Sequence, residues 1–301
     1  VEASLLPERD FPYHLLPFEP IYRRQWWRNL RWPLLAISLI GKIRKLLDAE
    51  RPALVFGTGG YASAPVVWLA ARRGIPTAVL DQDAFPGFAT RRLAGRVREV
   101  YLGAPEAAAH LKPGPGTEVV VTGSPIAPPQ PERRAEAFAR YQLDPEKPVV
   151  LIVGGSQGSL AINERVQSWI ESGGADEVSL LWATGKTTYE RFQHLARPPK
   201  VHVFPFLDPI ALGYAAADLV IGRAGMTTIA ELCAWGLPSI LIPLPTAAAD
   251  HQTHNATGMA NAGAAILLPQ RDLTAESLGS AITGLLADRA RLASLAKAAA
   301  H

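Results

Sequence analysis

The apolar residues of this chain fall in short runs with little polar alternation. In the first half they occupy residues 53–56, 77–80, 97–102 and 118–122. In the second they occupy 149–153, 180–183, 202–203, 219–221 and 239–242. Runs of this length without polar alternation predict strands buried on both faces. Helical patterns over 64–73, 159–172, 226–235, 255–262 and 275–287 lie between them. Strand alternating with helix specifies a parallel sheet covered on both sides. The rhythm breaks once, where Pro125, Pro128, Pro129, Pro131, Pro145 and Pro148 punctuate a polar stretch with a helical piece at 132–141. The expected fold is therefore α/β, two Rossmann-like doubly wound parallel-sheet domains facing a cleft. Their expected bounds are 1–127, a proline-stiffened linker at 128–147, and 148–301. Residues 1–10 read as the end of a helix, so the chain is expected to begin partway into its first domain.

Composition narrows the picture in two places. The lone cysteine, Cys233, excludes an internal disulfide framework, suits a reducing compartment, and sits mid-helix as a small buried hydrophobe. The net charge of +3 conceals an asymmetry: residues 21–51 hold eight basic and two acidic side chains, +6, leaving −3 elsewhere. One local basic surface argues against a nucleic-acid binder. Trp26, Trp27 and Trp32 lie among those arginines, ahead of an apolar run at 33–40 and of Lys42, Arg44 and Lys45. Crossing a bilayer takes about 20 apolar residues, so this segment is predicted to lie in an anionic interface. Trp26, Trp27, Trp32, Leu35, Leu39 and Lys42 are the expected contacts. The competing expectation is that Leu34, Leu35, Ile37 and Leu39 pack on the sheet.

Four loop-to-helix junctions carry candidate chemistry. Gly57-Thr58-Gly59-Gly60 follows a strand and opens a helix, where glycines admit close approach and the helix N-terminus favours an anion or a sugar hydroxyl. Gly154-Gly155-Ser156-Gln157-Gly158 repeats the construction with side-chain donors, the alternative being a tight turn with Ser156 as helix N-cap. In the run from Asp218 to Glu231, Gly222 to Gly225 form a turn, and the amides of Met226, Thr227 and Thr228 then form an anion cradle. Glu231, one helical turn later, is placed to accept from ribose hydroxyls; a capping box with Thr227 or Thr228 is the alternative. At the fourth junction Gln252 and Asn255 share a helix face suited to sugar hydroxyls. His251 and His254 have no third ligand nearby, so no metal site is predicted. Asp81-Gln82-Asp83 ends a strand in the half opposite the anion cradle, which favours acceptor-side hydrogen bonding or general-base work over metal binding.

Together these motifs resemble the MurG family, the N-acetylglucosaminyltransferases of peptidoglycan synthesis. The segment from Gly57 through Tyr61, with Ser63 and Pro65, is similar to the family's second glycine loop. Gly154 to Gly158 resembles its Gly-Gly-Ser-Gln-Gly turn. Gly225 to Glu231, Gly236-Leu237-Pro238, and His251-Gln252 with Asn255-Ala256 resemble its donor site. The resemblance implies the two-domain GT-B fold. It also implies inverting transfer of GlcNAc from UDP-GlcNAc to an undecaprenyl-linked muramyl-pentapeptide, peripherally at the cytoplasmic face of the bacterial membrane and without a cofactor. It assigns Glu231 to the ribose, Met226, Thr227, Thr228 and Ser156 to the diphosphate, Leu207 to the uracil, and Gln252 to the sugar. The family's first glycine loop, with its histidine, has no counterpart in this chain. Where the family has His-Glu-Gln-Asn, this chain has Leu80-Asp81-Gln82-Asp83, with Asp81 left as the acid–base candidate. Where it has Asn-Pro-Val-Arg, this chain has Ser124-Pro125-Ile126-Ala127, with Arg223 as the substitute cation. A sugar-nucleotide-binding scaffold, a UDP-GlcNAc 2-epimerase and a transferase to another lipid are the alternatives. An epimerase needs several carboxylates around the sugar and no membrane surface.

Overall fold

The computed structural model describes residues 12–16, 32–155, 157–247 and 250–300. The chain divides into two compact units, 1–123 and 124–301.

In the first unit, α1 (Trp32–Glu50) precedes β1 (Val55–Gly57), α2 (Gly60–Arg72), β2 (Thr77–Asp81), α3 (Phe88–Leu93), β3 (Glu99–Leu102) and β4 (Glu118–Val121). The strands form a parallel sheet in the order β1-β2-β3-β4. Register is set by Val55 opposite Thr77, Ala78 opposite Glu99, and Glu99 opposite Glu118. Helix α1 docks through Leu39, Ile43 and Leu47 against Leu69 and Ala70 of α2. This spacing of three to four residues gives the helix one apolar face. Leu39 therefore belongs to the core, a correction to its expected membrane role, because it shares that buried face. Leu35 is half-buried, whereas Ile37, Lys42, Arg44 and Lys45 are exposed. Trp26, Trp27 and the side chain of Trp32 lie outside the described residues.

The second unit opens with α4 (Arg134–Tyr141), β5 (Val149–Val153), α5 (Leu160–Glu171), β6 (Ser179–Ala183), α6 (Tyr189–Phe192), β7 (Val201–Phe204) and α7 (Ile210–Ala216). It continues with β8 (Leu219–Gly222), α8 (Met226–Trp235), β9 (Ser239–Leu241), α9 (His251–Asn261), β10 (Ala265–Leu267), α10 (Ala275–Ala287) and α11 (Arg289–Ala299). The parallel sheet runs β10-β9-β8-β5-β6-β7. Successive side chains of β5 enter opposite layers: Val149 and Leu151 on one face, Val150 and Ile152 on the other. Neither face meets water, which is why this strand shows no polar alternation. Strand order reverses direction between β5 and β8, the switch point where doubly wound sheets open a crevice at their carboxyl ends.

The proline-rich stretch expected as a linker is instead built into the second unit. Ala137, Tyr141 and Leu143 are core residues. Arg134 donates to the Ala216 carbonyl at 2.6 Å and to Asp218 Oδ1 at 2.9 Å, while the other Asp218 oxygen accepts from the Val149 amide at 2.7 Å. Proline stiffens this segment, but its apolar face decides where it lies.

Candidate functional site

Both glycine turns of the second unit sit at the switch point. The Gly154–Gly158 turn leaves β5 and leads into α5, and the Gly222–Gly225 turn leaves β8 and leads into α8. Gly155 and Gly158 have φ of 89° and 76°, a left-handed conformation that glycine adopts without steric cost. Gly158 also presses on the turn after β6: a Cβ there would lie 2.0 Å from the Thr184 carbonyl oxygen. Gly155 is exposed, with nothing within 4 Å of where its Cβ would stand. Gln157 is exposed, and its carbonyl accepts from Thr187 Oγ1 at 3.1 Å. Ser156 lies outside the described residues. The N-cap of α5 is Ser159, whose Oγ accepts from the Ile162 amide, so the cap falls three residues beyond the serine named as the alternative.

Helix α8 begins after Gly225, which has no side chain to cap it and whose absent Cβ would meet nothing within 4 Å. The first intrahelical bond runs from the Ile229 amide to the Gly225 carbonyl. The amides of the first turn, from Met226 on, carry the positive end of the helix. Glu231 does not close a capping box. Its Oε2 accepts from the Tyr214 hydroxyl at 2.8 Å. Tyr214 is buried, and that burial, with the neighbouring Glu231 carboxylate, drives its phenol pKa well above the ordinary value.

Three residues expected to touch ligand are occupied within the protein. The Asn255 side chain is buried and donates from Nδ2 to the Ala224 carbonyl at 3.1 Å. Through that bond it holds the turn between β8 and α8. Gln252 turns its Oε1 back to the Leu244 amide at 3.0 Å. The Arg223 guanidinium is buried and donates to the Ile242 and Pro243 carbonyls, Ser159 Oγ and Gln270 Oε1 at 2.6–3.1 Å. It braces β9, the α5 cap and the segment after β10, and burial lowers its pKa to about 10. Those four bonds leave it poorly placed to replace a missing phosphate contact. Leu207 is buried beside a hollow of about 460 Å³ whose walls include Tyr141, His202 and Phe206.

In the first unit, Gly59 and Gly60 take φ of 89° and 78° at the head of α2, with Thr58 exposed. Ser63 Oγ donates to the Gly59 carbonyl at 2.6 Å. Asp81, the acid–base candidate, ends β2. Its side chain is buried, Oδ1 accepts from the Asp83 amide at 3.2 Å, and Oδ2 accepts from the Gly87 amide at 2.9 Å. A carboxylate bonded to its own loop through both oxygens anchors that loop. Sequence reasoning missed Tyr214 and Asn163. The buried Asn163 joins Trp182 Nε1, the Thr184 carbonyl and Thr188 at 2.8–3.1 Å, fixing the turn that Gly158 meets. Neither residue carries a sequence signal, since each acts through partners distant along the chain.

Residues 1–102 match the glycosyltransferase family 28 N-terminal domain, and residues 149–301 match the family's C-terminal domain. The chain belongs to glycosyltransferase family 28. It is 36% identical over 310 residues to the UDP-N-acetylglucosamine--N-acetylmuramyl-(pentapeptide) pyrophosphoryl-undecaprenol N-acetylglucosamine transferase of Moorella thermoacetica, covering 100% of this chain and 83% of that one. Among solved structures it is similar to Acinetobacter baumannii MurG, with TM-score 0.72, 28% identity, and coverage of 99% of this chain and 83% of that one. A UDP-GlcNAc 2-epimerase from Neisseria meningitidis, bound to UDP-GlcNAc, shares the fold alone at 13% identity and TM-score 0.61, covering 93% of this chain and 78% of that one. The GT-B expectation and the resemblance to MurG are thus both met, and the epimerase alternative is not favoured.

Proposed function

We propose that this chain transfers GlcNAc from UDP-GlcNAc to a lipid-linked muramyl-pentapeptide, as the names of its relatives describe. One observation carries the reading: two glycine turns and the α8 N-terminus gather at the switch point of the second sheet, with Glu231 one helical turn beyond. The diphosphate lies against the amides of Met226, Thr227 and Thr228, and Glu231 takes the ribose. Gly155 and Gln157 supply the facing turn. The acceptor oxygen attacks the anomeric carbon as the bond to the β-phosphate oxygen breaks, and the acceptor proton passes to a base. A helix N-terminus contributes up to about 2 kcal/mol toward the charge developing on the departing UDP. Asn255 and Arg223 act by holding the turns in place.

Peripheral contact with an anionic membrane is part of the proposal. Ile37 is exposed on α1 beside Lys42, Arg44 and Lys45, and a hollow of about 430 Å³ is lined by Ile40, Arg44, Trp68, Leu69, Arg72 and Arg73. Arg72 lies over the Trp68 ring, 5.0 Å from its centroid. Such cationic and aromatic side chains suit phosphate headgroups. Among the described residues, no helix is long and apolar enough to cross a bilayer.

The test is calorimetric titration of UDP-GlcNAc, with UDP-glucose as competitor and Glu231→Ala as control. Micromolar binding that prefers UDP-GlcNAc and collapses in the variant supports the reading. Absence of binding by the folded protein rejects it.

A further inference from the structure

The bond between Tyr214 and Glu231 has a consequence for recognition. Tyr214 lies on α7 and Glu231 on α8, 17 positions apart, and a 2.8 Å bond from the phenol to Oε2 joins them. The ring is 3% exposed and packs 5.8 Å from the Trp235 ring, so the hydroxyl has little freedom to move. Among the described residues the second carboxylate oxygen, Oε1, accepts no hydrogen bond. A glutamate side chain has three rotatable bonds, and an unrestrained one loses that freedom when ligand arrives. A carboxylate already held by one oxygen presents the other in a fixed direction.

We propose that Tyr214 is a positioning residue for ribose recognition: it fixes the Glu231 carboxylate so that it accepts from the two ribose hydroxyls of a nucleoside diphosphate. This rests on the donor-site reading above and extends it to a residue that touches no ligand. Burial and the adjacent carboxylate keep the phenol protonated, so it stays a donor.

The test compares UDP with 2′,3′-dideoxy-UDP by calorimetry, in the wild-type chain, Tyr214→Phe, Glu231→Ala and the double variant, with a melting curve for each. The wild type is expected to prefer UDP by roughly 10–100-fold, as hydrogen bonds to a charged acceptor allow. Tyr214→Phe should cut that preference by roughly 5–20-fold while leaving dideoxy-UDP affinity unchanged, and should change nothing further in the Glu231→Ala background. A purely structural tyrosine would weaken both ligands alike. Equal weakening, or an intact preference in Tyr214→Phe when Glu231→Ala abolishes it, overturns the proposal and leaves the donor site standing. A wild-type chain that binds neither ligand, or binds both equally, overturns the donor-site reading and the proposal with it.

Discussion

Adding a methyl group at Gly158 should damage the second unit far more than adding one at Gly155, although the two share a turn. Both have positive φ, 89° at Gly155 and 76° at Gly158. Each alanine therefore pays about 1–2 kcal/mol for a left-handed backbone. The surroundings differ. At Gly155 the new Cβ enters open space; at Gly158 it would lie 2.0 Å from the Thr184 oxygen and 2.8 Å from the Gly185 Cα. Cβ atoms essentially never come within 3.0 Å of another heavy atom, so the turn must move by at least about 1 Å. The atoms in the way are backbone, which cannot rotate aside. Retreat also strains the bond from Thr187 Oγ1 to the Gln157 carbonyl. Overpacking of this kind adds about 1–3 kcal/mol, for a total of roughly 2–5 at Gly158 against 1–2 at Gly155. At about 2–4 °C per kcal/mol for a unit of this size, Gly158→Ala should lower Tm by roughly 4–20 °C and Gly155→Ala by roughly 2–8 °C. Differential scanning calorimetry reads both, and UDP titration should show the larger loss of affinity in Gly158→Ala. Melting points within 2 °C of each other, or a worse outcome for Gly155→Ala, would refute the packing argument.

Arg223→Met keeps the aliphatic bulk and removes four donated bonds, leaving the Ile242 and Pro243 carbonyls without that partner; a loss of roughly 2–4 kcal/mol is expected in urea unfolding. Asn255→Ala should cost about 1–2 kcal/mol and raise the Kd for UDP, because the Ala224 carbonyl loses its anchor. An unchanged Kd would show that the turn holds its shape alone. His202 is buried, which lowers its pKa below the ordinary 6.5 despite the opposing bond to the Pro199 carbonyl. The unfolded chain therefore binds this proton more readily, so the contribution to stability is full above about pH 6.5 and is lost as pH falls through the lower folded value. Urea midpoints measured from pH 7.5 to 5 should decline less steeply in His202→Gln, and equal slopes would reject the assignment.

Much of this fold was legible in the chain because its signals are local. The strand at Val149–Val153 and the helices Met226–Trp235 and Ala275–Ala287 fall where the pattern put them, since continuous apolar runs and 3.6-residue periodicity record which faces are buried. The glycine turns were legible for the same reason: a positive φ leaves few residues to choose from. Short elements escaped. Helix Ile210–Ala216 and strand Ala265–Leu267 are too brief to show a period; helix Arg134–Tyr141 was legible, but not that it packs into the second unit.

The sequence by itself determined two parallel-sheet halves and the turns that make their ends suited to a nucleoside diphosphate sugar. It could not decide which polar side chains remain available to ligand, because that depends on partners brought close only by folding. Tertiary structure placed Leu39 in the core, engaged Asp81 with the amides of its own loop, set Asn255 and Arg223 to brace the turns, and joined Tyr214 to Glu231. The physical reason is common to all five. A buried polar group must find a partner and a buried apolar group must find a face, and along this chain those partners stand up to 64 positions away.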